Sequence, residues 1–95
     1  MQPITREHEI AALRAARVEV ELGRPYICLH IQDYFNVSSL AVAKELTGLI
    51  GEVEEFLDKK SCVEGWLNIP HRWGVVKQYR LAIIDTLLAR RGVTA

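Results

Sequence analysis

Ninety-five residues make a single domain, 1–95, because two independent hydrophobic cores do not fit in that length. A chain that is 49% hydrophobic and 25% charged folds rather than staying disordered, and its apolar runs fall far short of the ~20 residues of a membrane span. Twelve basic and twelve acidic side chains cancel, so no overall field draws it to DNA, RNA or an anionic membrane.

The first predicted helix runs from Thr5, a plausible N-cap, to Leu22. Glu7 lies in its first turn, where carboxylates suit the helix dipole. The capping box is imperfect, because His8 stands where Glu or Gln would reach back. Ile10, Leu13 and Val20 define one apolar line, interrupted by Arg17, and Ala11, Ala15, Val18 and Leu22 define another. Gly23 can take positive φ and close the helix.

Pro25 restarts the chain. Tyr26 to Gln32 alternates with the period of a strand, yet Ile27, Ile31 and Tyr34, or Cys28, Ile31 and Phe35, also fit helical spacing. A lone strand has nothing visible to pair with, so the expectation is a short helix. Asn36 to Ser39 is a turn rich in capping residues.

The segment 38–60 is the organising element. Ala43, Leu46, Ile50, Val53 and Leu57 recur at alternating spacings of three and four, and Leu49 and Phe56 widen that face. As one rod it would be roughly 33 Å long. Gly48 and Gly51 fall away from its core stripe, beside Glu55, and make a smooth spot where a partner can approach closely. The partner-binding expectation as a whole depends on a single rod roofed by the C-terminal helix; a sheet there, or a kink near Gly48, removes it. Ser61 to Glu64 has capping-box spacing for a short turn of helix through Leu67.

The last predicted helix runs from Pro70 to Arg91, with Gly92 as its stop. It has little clean polar face: Trp73, Val76, Ile83 and Leu87 form a stripe broken by Arg80, and Val75, Tyr79, Ala82 and Leu88 are apolar on other sides. Such a helix is either enclosed by its neighbours or touches a second surface. Arg17 and Arg80, each interrupting an apolar line, need a partner if buried, with Asp33, Glu45 and Asp85 as candidates. Otherwise they lie along the surface and send their heads to water.

Charge is uneven along the chain. Residues 25–60 carry Lys44, Lys59 and Lys60 against six acids, while residues 61–95 carry five basic residues against Glu64 and Asp85. The acidic middle and basic end are expected to face each other, within the fold or across a dimer.

Chemistry is not written into this pattern. Cys28, His30, Asp33, Cys62 and His71 show no ligand spacing for zinc, and no Gly-rich phosphate loop or local nucleophile–base pair occurs. No catalytic residue, cofactor or metal is assigned. A polar N-terminus and apolar-flanked cysteines fit reduced thiols in the cytoplasm. The stretch from Val37 to Leu49 resembles the first half of a helix-turn-helix unit. Its second half would carry Glu52, Glu54, Glu55 and Asp58 toward phosphates that repel them.

Three segments carry a family likeness: Tyr26, Ile27 and Cys28; Trp66 and Leu67; and Arg80, Ile84 and Asp85. Together they resemble a loose group of short, mostly uncharacterised helical proteins from tailed bacteriophages and prophages. The likeness lapses from His30 onward and brings no catalytic residues. It implies a phage or bacterial cytoplasmic setting and an accessory factor that binds a host or phage protein.

The expectation is therefore an all-α bundle of four to five helices, with two long antiparallel helices at about 38–60 and 70–91 and the first helix packed across them. Tyr26, Phe35, Phe56, Trp66 and Trp73 would supply the large core side chains. The expected function is non-enzymatic protein–protein interaction, as a homodimer or with another protein, through Gly48, Gly51, Glu55, Arg80 and Leu88. The alternative is a DNA-binding regulator acting through Arg72, Lys77, Arg80 and Arg91.

Overall fold

A computed structural model describes residues 4–58 and 73–93, and among them there are five helices and no strand. They are α1 (Arg6–Glu21), α2 (Ile27–Phe35), α3 (Leu40–Leu46), α4 (Leu49–Asp58) and α5 (Trp73–Arg90). The short helical turn expected after Ser61, and the expectations for Cys62, Trp66, His71, Arg72 and the Trp73 and Val76 side chains, lie outside what is described.

Thr5 caps α1 from an extended backbone, its hydroxyl accepting from the His8 amide at 3.2 Å. The box is complete after all: the His8 ring nitrogen Nδ1 accepts from the Thr5 amide at 3.3 Å, doing the work of the missing glutamate. At the other end Gly23 takes φ +94, and the amides of Gly23 and Arg24 bond the carbonyls of Val20 and Glu19. Those two bonds are a Schellman closure, which satisfies carbonyls that the helix leaves open.

From Ile27 onward the ambiguous segment is helical, as the lack of a pairing strand suggests and against its strand-like alternation. Ile27 and Ile31, one turn apart, are both fully buried, which a strand would achieve only with a partner for its edges. Asn36 ends α2 at φ 54, with its own amide on Asp33 and that of Val37 on Gln32, the same closure using the side chain that best tolerates this conformation after glycine.

The 38–60 rod does not exist. Its register is broken at Thr47 and Gly48 into α3 and α4. Ser39 caps α3 by accepting from the Val42 amide, and Thr47 leaves the helix in an extended conformation, φ −147 and ψ 145. The Thr47 hydroxyl then accepts from the Leu49 amide at 3.2 Å and donates to Glu9 of α1 at 2.7 Å. Threonine and glycine in succession are weak helix formers, and this part-buried bond to another helix outweighs continuing the rod.

The expected hierarchy also changes. The most extensive contacts are those of α1 with α2 and with α5, so α1 is the central helix rather than a strap across two others. The pairs Arg17–Asp85 and Glu9–Arg91 show that α1 and α5 run antiparallel. Their interface buries Leu13, Val20, Ile83, Ile84 and Leu87, and α2 and α4 close it with Ile27, Ile31, Ile50 and Val53. Each such side chain contributes about 1.5–3 kcal/mol by leaving water. Phe56 is buried as expected, with the Tyr79 hydroxyl donating to its carbonyl at 3.1 Å and the Arg90 guanidinium 5.1 Å from its ring centre. Phe35 is half-buried, whereas Tyr26 is not a core residue. It precedes the first turn of α2, off the Ile27–Ile31 line, and stays 61% exposed.

Candidate functional site

The residues singled out for partner binding do not form one surface. Gly48, Gly51 and Glu55 are exposed, on the α3–α4 turn and the outer side of α4. Leu88 is 7% exposed and belongs to the core, and Arg80 turns inward, donating from Nη1 to the Pro25 carbonyl at 2.6 Å. With the rod broken, the glycines no longer smooth the side of a long helix. From Lys77 to Arg90, α5 exposes no large apolar side chain, so along this length its surplus of apolar residues is consumed by its own neighbours.

Polar side chains do gather in one place, where α1, the α3–α4 turn, α4 and the end of α5 meet. Arg91 donates to Glu52 at 2.5 Å, to Glu9 at 3.3 Å and to the Leu87 carbonyl at 3.1 Å. Glu9 takes the Thr47 hydroxyl on its other oxygen, and Arg90 sits 3.6 Å from Glu52. Burial disfavours the Arg91 charge, but the bonds and charges of Glu52 and then Glu9 outweigh it and raise its pKa. This is the acidic middle meeting the basic end inside the fold. The described groups in it bond one another, which makes it a clasp between α1, α4 and the end of α5.

The two interrupting arginines find different fates. Arg17 donates from Nε and Nη2 to the two oxygens of Asp85, at 2.8 and 3.2 Å, and also reaches Glu21 one turn on. The Asp85 hydrogen bond is the main reason its pKa is raised. Among the described residues Arg80 has no such carboxylate and its Nε meets no acceptor, and burial lowers its pKa.

The outward surface is where apolar side chains remain. Val18 is 58% exposed, Leu22 67%, Tyr26 61%, and Leu29 and Tyr34 44% each. The first four follow one another from the last turn of α1, through the connection, into the first turn of α2. Beside them a cleft of about 490 Å³ opens between the two helices, lined by Ala15, Glu19, Arg24, His30, Asp33 and Tyr34. Arg24 donates to Glu19 at 2.6 Å and holds its carboxyl below the usual range, and the Arg24 carbonyl meets His30 Nε2 at 2.8 Å. Sequence reasoning marked the line Ala11, Ala15, Val18 and Leu22 but placed Tyr26 inside. The sign available was that Ile27 and Ile31 already define the inward line of α2, which Tyr26 and Leu29 do not share.

Among the described residues no three His, Cys, Asp or Glu side chains converge as metal ligands would, and no helix is long and apolar enough to cross a membrane. Cys28 is half-buried at the edge of the core. Of the four basic residues that a DNA-binding α5 would use, Arg80 and Arg91 are engaged internally, Lys77 is exposed, and Arg72 lies outside the described residues. No family model, curated protein or solved structure matches this chain.

Proposed function

We propose that this is a small non-enzymatic accessory protein of phage or bacterial type, which works by binding protein: a second copy of itself, or a host or phage protein. The observation that carries the reading is the run of large apolar side chains left outside around the α1–α2 connection, Val18, Leu22, Tyr26 and Leu29. Scattered apolar residues on a surface need no explanation, but several in one short stretch mark an interaction surface. The break at Thr47 and Gly48 removes the ground on which the sequence-based expectation of partner binding stood, and the reading rests instead on the exposed residues of the α1–α2 connection. A tagged chain recovered from its native host, alongside a Tyr26→Glu, Leu29→Glu variant, tests it. A partner held by the first and released by the second supports the reading. Equal recovery with both removes it.

One observation favours a DNA-binding alternative: α3 and α4, joined by Thr47 and Gly48 and both packed on α2, follow the order of a helix-turn-helix unit. Its second helix, however, holds Glu52, Glu54, Glu55 and Asp58 and not one Lys or Arg. Such a helix is repelled by phosphates. A gel shift on mixed duplex at low and high salt separates the readings, since phosphate-driven binding falls steeply as salt rises.

A further inference from the structure

We infer that the outer face of α1 is a self-association seam, on which two copies pack antiparallel about a two-fold axis. The inference rests on the protein-binding reading and names its partner as a second copy of this chain. Ala11, Ala15, Val18 and Leu22 are spaced four, three and four apart, the repeat of a coiled-coil seam. The face they form is turned away from the core line of Leu13, Ala16 and Val20: Val18 and Leu22 are exposed, and Ala11 and Ala15 are half-buried, Ala15 in the wall of the α1–α2 cleft.

What selects a second copy is self-complementarity. With the two-fold axis crossing midway between Ala15 and Val18, Ala15 meets Val18 of the other copy, and Ala11 meets its Leu22. Each layer then sets a small side chain against a large one, so the helices approach closely without voids. A parallel pair would stack alanine on alanine and leave gaps. The same antiparallel register brings Arg14 of each copy beside Glu21 of the other, because both flank the seam on one side. Glu21 holds Arg17 of its own chain through Oε1, so the second copy's Arg14 is taken on its other oxygen. Arg14 is exposed and pairs with no described carboxylate within its own chain. A two-fold contact repeats whatever it contains, so this pairing occurs twice. The seam covers about three helical turns, well under the ~1,200 Å² of a standard interface, so association is weak, in the micromolar range or above.

Sedimentation velocity from about 5 to 500 µM reads this out, with circular dichroism on each variant to confirm its fold. The wild-type chain is expected to shift from monomer to dimer across that range. Leu22→Glu, at an exposed position, is expected to stay monomeric throughout. Arg14→Glu alone and Glu21→Arg alone are each expected to weaken association about 5-fold, and the double swap to restore most of it. A wild-type chain that stays monomeric overturns the inference, as does a dimer that survives Leu22→Glu or a double swap no better than its parents. A monomer that still captures a host protein through Tyr26 and Leu29 overturns only this inference and leaves the proposed function standing.

Discussion

Arginine does three different jobs here, and the differences are measurable. Arg91 is clasped between Glu9 and Glu52 with its side chain 12% exposed. Arg91→Ala strands two half-covered carboxylates beside each other, and chemical denaturation should show a loss of about 2–3 kcal/mol. Arg91→Lys should recover less than half of that, because an ammonium cannot fork between two helices and the Leu87 carbonyl. Arg17 and Asp85 are 36% and 41% exposed, so their bidentate pair is screened and Asp85→Asn should cost no more than about 1 kcal/mol. Arg80 inverts the expectation for a half-buried charge. Its Nε is without an acceptor among the described residues, and its Nη1 bonds the Pro25 carbonyl. Arg80→Met keeps the stem's packing and removes the desolvated charge, so the melting temperature should stay level or rise. A loss above about 1 kcal/mol would mean the guanidinium is worth more than its visible contacts. The sequence showed that Arg17 and Arg80 interrupt apolar lines and offered Asp85 among three partners. It did not show that Arg80 would face a carbonyl, because that depends on where the α1–α2 connection passes over α5.

Helix boundaries were the least legible part of the chain, and the reason is visible at Thr47. Leu46 and Ile50 are four apart, so the apolar period runs on across a two-residue turn and hides it. What breaks the helix is a hydrogen bond from Thr47 to Glu9, a residue far away in sequence that no local pattern connects to it. Thr47→Val keeps shape and burial but leaves Glu9 and the Leu49 amide without that hydroxyl. It should cost about 2 kcal/mol by denaturation. Thr47→Ser should retain most of the bond. Gly51 offers the contrary test within α4, where an added Cβ would meet nothing within 4 Å. Gly51→Ala should therefore stabilise by about 0.5–1 kcal/mol through helix propensity alone. The signals that did transfer were those with a local cause: Thr5 as a cap and Gly23 as a stop.

At the scale of the molecule, the all-helical class and the meeting of acidic middle with basic end were legible, since composition and charge order survive errors in boundaries. The centre was not. The 38–60 segment looked dominant by length, but once it is broken the longest helices among the described residues are α1 and α5, and the core forms where they pair. That arrangement leaves the Ala11–Leu22 line of α1 facing out, and an outward apolar line makes stability depend on concentration if copies associate through it. A dimer that forms only from folded chains adds a mass-action term to folding, which grows with total protein. Between about 10 µM and 1 mM, association in the micromolar range adds on the order of 1 kcal/mol per chain. For a domain of this size that raises the melting temperature by about 4–8 °C. Leu22→Glu should remove the slope without lowering the dilute value, because Leu22 is 67% exposed and contributes little to the monomer core. Differential scanning calorimetry at three concentrations decides it. A flat melting temperature for the unaltered chain, or an equal slope for the variant, would place the exposed apolar line outside any self-contact.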